Sequence, residues 1–254
     1  MLSFEKIRNG YIGKGDCLEL MKEIPDNHID MVLCDLPYGN TDCGWDTIIP
    51  FEDLWAAYDR IVKPNGAIVL TATAKFTMQL AASNLKDYRY KWVWKKKNSV
   101  GFLNCKRAPL RNHEDVLVFY KKQPTYNPQM TVGAKPYTTK ASDSHHAPTY
   151  KAVKTLDRVN TGTRYPKDIL EFGYDKDKVH PTQKPVALGE YLIKTYTNPE
   201  DVVLDNCFGS GSFLVAAQCS GRKFIGCELN EYNTGSGGKT VDYYEEAKKR
   251  ILAS

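Results

Sequence analysis

With 254 residues, 42% of them hydrophobic, the chain suits one large domain, or one with an inserted lobe, and a fibrous or disordered protein is excluded. No apolar run approaches the ~20 residues of a membrane span, and the start Met1-Leu2-Ser3-Phe4-Glu5-Lys6 lacks the apolar core of a signal peptide, so a cytoplasmic protein is the default. The net charge of +5 is unevenly spread, with a dense basic segment over residues 91–122, and the seven cysteines form no Cys-x-x-Cys pair, which indicates neither a metal site nor a disulfide framework.

In chain order, Tyr11-Ile12-Gly13-Lys14-Gly15 reads as a short extended piece ending at Asp16, followed by a helical pattern over residues 17–24. Asp16 either caps that helix or meets a ligand. Met31-Val32-Leu33-Cys34 is a buried-strand pattern that runs into Asp35-Leu36-Pro37-Tyr38-Gly39. Parallel α/β sheets place their sites at such strand ends. Pro37 has no N–H and stops the strand, which leaves the Leu36 carbonyl outside the ladder. A carboxylate and a free carbonyl side by side suit an amino group with two protons, and Tyr38 offers a flat face for a planar heterocycle.

Residues 51–62 have helical periodicity and end at Lys63-Pro64-Asn65-Gly66; a buried strand over 67–72 and a helix over 76–84 follow. This β-α-β-α alternation predicts a parallel sheet covered on both faces. Residues 88–94 and 115–120 read as two more strands, with Lys95, Lys96, Lys97, Lys106, Arg107 and Arg111 between them. Residues 123–179 show no sustained period and are too long for an ordinary connection, which predicts an inserted lobe between halves at 1–122 and 180–254.

The second half opens with His180-Pro181-Thr182-Gln183-Lys184-Pro185, continues through a helix over 186–196 and reaches a strand ending at Asp205. Asn206-Cys207-Phe208-Gly209-Ser210-Gly211-Ser212 then turns into an apolar helix over 213–219, and Lys223-Phe224-Ile225-Gly226-Cys227 ends at Glu228. The glycines let a ligand approach the backbone, and an acid about 20 residues on is placed for ribose hydroxyls. Leu214 stands at the third glycine position of a dinucleotide fingerprint, which points away from nicotinamide and flavin dinucleotides and leaves S-adenosylmethionine as the nucleoside candidate.

Taken together, the 35–38 motif, Asn112-His113-Glu114-Asp115, the 180–185 motif, the glycine turn and Gly226-Cys227-Glu228 occur in an order that resembles the DNA amino-methyltransferases of the β arrangement, in phage or restriction-modification systems. The resemblance covers nearly the whole chain. It implies a doubly wound, mostly parallel seven-stranded sheet with an inserted target-recognition region. It also implies S-adenosylmethionine as cofactor, double-stranded DNA as partner, and a monomer or homodimer. It assigns Asp35, Leu36, Pro37 and Tyr38 to the target amino group and flipped base. Asp205, Phe208, Gly209 and Gly211 fall at the cofactor's methionine end, and Cys17, Asp35 and Ser210 also count among the cofactor-binding residues. Glu228 falls to its ribose, Asp16 to its adenine, and Lys184 near its carboxylate.

Three departures stand out. Leu36 replaces the first proline of the usual Asp-Pro-Pro-Tyr, at a position whose backbone carbonyl is the group used. Cys207 stands where phenylalanine is usual, with Phe208 one place later, and residues 233–240 read as a flexible loop or an engineered linker. The resemblance implies adenine-N6 as target because the motif begins with Asp where cytosine-N4 relatives usually begin with Ser; a cytosine-N4 enzyme and a non-catalytic cofactor-binding DNA module are the alternatives. The six basic residues from Lys95 to Arg111 are assigned to DNA phosphates.

Overall fold

The computed structural model describes residues 4–39, 46–141, 156–177, 179, 182–230 and 241–254. The segment 233–240 and the pair His180-Pro181 lie outside these residues. In chain order the elements are β1 (Phe4–Ile7), β2 (Gly10–Lys14), α1 (Cys17–Met21), β3 (Ile29–Cys34), α2 (Phe51–Ile61), β4 (Val62–Ala72), α3 (Ala74–Ser83), β5 (Tyr88–Val100) and β6 (Arg111–Phe119). Then come β7 (Tyr137–Thr139), β8 (Arg158–Asn160), β9 (Ile169–Glu171), α4 (Val186–Tyr196), β10 (Val202–Asp205), α5 (Ser212–Cys219), β11 (Lys223–Glu228) and α6 (Tyr243–Ala253).

Nine strands form one sheet in the order β1-β2-β11-β10-β3-β4-β6-β5-β9. The run from β2 to β4 is parallel throughout, and antiparallel β6 lies between β4 and β5. The seven implied strands are therefore present, and β1 and β9 extend the sheet by one short strand at each edge.

Alternation along each strand sends side chains to opposite faces. Met31, Leu33, Val69 and Val118 meet α4, α5 and α6, while Val32, Cys34, Leu70 and Phe119 meet α1, α2 and α3. The sheet is thus covered on both sides, as near-continuous apolar strands require. The chain leaves β3 through α2 on one face and β10 through α5 on the other, so the strand order reverses where β3 and β10 lie side by side. Open α/β sheets bind ligands at such a switch point.

Two readings of the sequence shift. The Pro64-Asn65-Gly66 stretch belongs to β4, as an irregularity where pairing with β3 jumps from Ile29↔Val62 to Met31↔Ala67. The second compact unit is Pro128–Lys167, narrower than 123–179. Asn127 is tied to α4 through the Lys194 and Thr195 carbonyls, and Ile169–Glu171 pairs with β5, so both ends of the longer span belong to the main sheet. Within the second unit, β7 pairs with β8 and Arg164 lies 4.8 Å over the Tyr137 ring.

Candidate active site

Pairing of β3 with β4 stops at Cys34↔Leu70, so Asp35 and Leu36 emerge beyond the ladder. Gly39 takes φ +64, and the buried Asp46 folds back so that its Oδ1 accepts from the N–H groups of Tyr38 at 2.7 Å and Gly39 at 2.9 Å. The Tyr38 ring packs on Phe76 with centroids 5.0 Å apart. Its hydroxyl donates to Asp35 Oδ1 at 2.5 Å, and the Thr71 hydroxyl donates to the same oxygen.

The other Asp35 oxygen accepts from Lys184 Nζ at 2.5 Å, and the same ammonium lies 3.3 Å from Glu114 Oε2. Glu114 in turn pairs through Oε1 with Lys96. Two carboxylates and two ammonium groups therefore alternate in a line, which offsets the cost of burying each charge. Burial opposes ionisation of Asp35, but Lys184 and the Thr71 and Tyr38 hydroxyls outweigh it and hold the carboxyl below its usual pKa. For Lys184 burial also opposes the charge, and Asp35 with Glu114 more than restores it, so its pKa is raised.

Across the switch point, Asp205 ends β10 and is 2% exposed. Burial first, then the nearby Asp35 and Glu228 charges, push it up to about 8 against the opposing hydrogen bonds from Cys34 and the Cys207 N–H. Gly209 and Gly211 adopt φ +48 and +72. A Cβ at Gly209 would meet nothing within 4 Å, whereas one at Gly211 would lie 2.8 Å from the Ala247 Cβ. The first glycine leaves room for a ligand and the second for α6. Glu228 accepts from the N–H groups of Gly209 at 2.6 Å and Asn230 at 3.0 Å. Asp16 caps α1 by accepting from Leu18 N–H at 2.8 Å. Phe208 packs against Tyr244, with ring centroids 5.9 Å apart.

A cavity of about 640 Å³ joins the two halves of the site. Its wall includes Asp35, Leu36, Pro37 and Tyr38 on one side, and Asp16, Cys17, Lys184, Asp205, Phe208, Gly209, Ser210 and Glu228 around the rest. Gly211 does not line it. Thr71, Asp46 and the ion partner Glu114 are the site residues that sequence reasoning left without a role.

The basic residues divide. Lys97, Lys106, Arg107 and Arg111 are exposed, and Arg111 also lines the cavity. Lys95 pairs with Glu171 at 2.8 Å on the surface. Lys96 is turned inward, its side chain 10% exposed, onto Glu114 and over the Trp94 ring at 5.4 Å. An ammonium so enclosed is not presented to a phosphate, which removes Lys96 from the phosphate set.

The profile of the DNA methylase family covering N6 and N4 methylases matches residues 29–234, most of the chain. The chain belongs to the N6/N4 DNA methylase family. It is 26% identical to the type II methyltransferase M.HpaI of Haemophilus parainfluenzae over 93% of this chain and 72% of that one. It is likewise 26% identical to the putative methylase YubD of Escherichia coli (strain K12), over 95% of this chain and 94% of that one. Among solved structures, the fold is shared with M1.HpyAVI in complex with SAM, at TM-score 0.61, 24% identity and coverage of 94% and 98%. It is also shared with the cytosine-N4-specific PvuII DNA methyltransferase, at TM-score 0.62, 15% identity and coverage of 98% and 95%.

Proposed function

We propose that this N6/N4 methylase transfers a methyl group from S-adenosylmethionine to the N6 amino group of adenine in duplex DNA, after the base is flipped from the stack. The observation that carries this reading is the meeting, in one cavity, of the Asp35 and Leu36 acceptors with the glycine turn and the Glu228 carboxylate. The cavity lies in the size range of pockets that enclose small organic ligands, roughly 300–1,000 Å³. The open face at Gly209 and the buried acids Asp205 and Glu228 suit a cofactor with ribose hydroxyls and a positive charge.

Bound there, S-adenosylmethionine supplies an electrophilic methyl group. The protein's part is to accept and to orient. Asp35 Oδ2 and the Leu36 carbonyl accept hydrogen bonds from the two amino protons, which turns the nitrogen lone pair out of the ring plane and towards the methyl group; one of those protons is released to solvent after transfer, and the other stays on the nitrogen. Lys184 holds that carboxylate oxygen beforehand and retains Glu114 when the amino group displaces it. Because its pKa is depressed, Asp35 serves as a hydrogen-bond acceptor rather than a proton store. Tyr38 stacks on the extruded base, worth ~1–3 kcal/mol, against an extrusion cost of a few kcal/mol. Exposed residues of Pro128–Lys167, such as Tyr137 and Tyr165, read base edges, while Lys97, Lys106 and Arg107 hold phosphates.

The test is tritium transfer from labelled S-adenosylmethionine to duplex DNA, followed by digestion and nucleoside analysis. Label in N6-methyl-2′-deoxyadenosine is the expected result; label in N4-methyl-2′-deoxycytidine would replace the target base, and none in DNA would reject the reading.

A further inference from the structure

Between Lys97 and Arg111 the chain carries four cations and no acid, and at the tip of the β5–β6 hairpin it exposes two adjacent large apolar side chains. Leu103 is 99% exposed and Phe102 76%. Scattered apolar residues on a surface need no explanation, but a paired apolar tip ringed by cations does.

The tip is a built turn. Gly101 at φ +93 starts a single 3₁₀ turn over Phe102–Asn104, closed by Asn104 N–H on the Gly101 carbonyl and Cys105 N–H on that of Phe102, each at 3.0 Å. Arg107 N–H then bonds the Asn104 carbonyl at 2.8 Å. Such bonding fixes the backbone of the turn, so that only side-chain freedom remains to be lost on binding. The hairpin also springs from the active site, since Arg111 and Glu114 on β6 line the cavity. At ~3.4 Å per strand residue the tip stands roughly 15 Å beyond Glu114. That reach exceeds the ~8 Å depth of a DNA groove.

We infer that the Phe102–Asn104 turn is a wedge that enters the base stack of duplex DNA beside the target, with Leu103 and Phe102 occupying the space the flipped base leaves and Lys106 and Arg107 held on the flanking phosphates. The inference rests on the reading of the protein as a base-flipping DNA methyltransferase. Apolar wedges at basic surfaces separate base steps in this way, repaying the unstacking by their own burial. The net positive rim favours a polyanion over a neutral protein surface.

The experiment uses the full chain with Phe102→Ala and Leu103→Ala combined, two exposed positions whose truncation spares the core. Tritiated S-adenosylmethionine and plasmid DNA first map the methylated sequence. Oligonucleotide duplexes of that sequence then carry the target base either paired or opposite an abasic site. The double variant should lose about tenfold to a hundredfold in kcat/KM on the paired duplex and stay within about twofold of the parent on the unpaired one, because that substrate needs less help to open. Equal loss on both duplexes, or no loss on either, would overturn the wedge. So would a variant whose only change is in oligomeric state or in binding to phosphatidylserine vesicles, which would give the tip to a second copy or to a membrane. A parent protein that methylates no duplex at all overturns the underlying reading instead, and is distinguished by failing before any variant is compared.

Discussion

Lys184 Nζ lies 2.5 Å from Asp35 Oδ2, where an ammonium group holds the oxygen that an incoming amino group would use. The pair helps explain why Asp35, although partly buried, stays ionised: the neighbouring cation, with the Thr71 and Tyr38 hydroxyls, outweighs burial. Replacing Lys184 by Met leaves burial unopposed by that charge, so the Asp35 pKa should rise. A rate that depends on the carboxylate is lost as pH falls through its pKa. The acid limb of the single-turnover pH profile should therefore move to higher pH in Lys184→Met. An acid limb at the parental position would show that the two groups do not act together.

Asp35→Asn keeps the shape of the side chain but loses the charge and half of its acceptor capacity. Methyl transfer should drop by a factor of about a hundred or more, the scale of losing one preorganised polar group. Affinity for S-adenosylmethionine should change little, since in the proposed reading the partner of Asp35 is the target amino group. Parallel loss of cofactor affinity in calorimetry would place Asp35 on the wrong ligand.

Asp205 gives a second pH signal of opposite origin. Its pKa of about 8 means that it carries a proton at neutral pH in the free protein, and a positively charged cofactor favours the anion. Affinity for S-adenosylmethionine should rise with pH up to about 8, by at most tenfold per unit, with proton release at neutral pH. Uncharged-sulfur S-adenosylhomocysteine should show a shallower rise. Stability runs the other way: an unfolded carboxyl ionises near ~3.9, so the folded state alone holds the proton between there and about 8, and stability falls as pH rises through that window. Asp205→Asn should flatten both slopes; calorimetry and thermal melts across pH check this, and slopes that persist in the variant would reject the assignment.

The strands that end in acids were legible because the information is local. Buried apolar runs ending at Asp35, Asp205 and Glu228 carry strand, stop and chemistry within a few residues. Edges were less legible: Phe4–Ile7 and Ile169–Glu171 are short and become strands through the partners they find. Lys96 illustrates a signal that was present but unused. Trp92, Trp94 and Lys96 share one side of β5 by the two-residue period, and both tryptophans are buried. Their face dictates that Lys96 points inward. Asp46 had no local signal, since its role as a cap for the Tyr38 turn exists only in three dimensions.

Glu228 holds the glycine turn through its bonds to Gly209 and Asn230 N–H groups, and in the proposed reading it also takes the cofactor's ribose hydroxyls. Glu228→Gln retains one acceptor but removes charge-assisted bonding, worth roughly 1.5–3 kcal/mol. Affinity for S-adenosylmethionine should fall by about tenfold to a hundredfold. A melting temperature within a few degrees of the parent would show that the turn itself survives. Unchanged affinity would return Glu228 to a purely structural role.

The last prediction separates cations that face solvent from one that does not. Lys97, Lys106 and Arg107 are exposed, whereas Lys96 is enclosed against Glu114. Each lysine or arginine that sits on a phosphate releases counterions on binding, so its removal should lower the slope of log affinity against log salt by about one unit. Lys97→Ala, Lys106→Ala and Arg107→Ala should each do so, and equally on cognate and scrambled duplexes, because phosphates carry no sequence. Lys96→Ala should leave the salt slope unaltered. It should instead lower stability, by less than the ~3–5 kcal/mol of a fully broken buried pair, since Glu114 would lose one ammonium partner and keep Lys184. Thermal melts and fluorescence anisotropy across a salt series read the two effects independently. A Lys96→Ala protein that melts like the parent and loses a unit of slope would mean that Lys96 faces DNA after all.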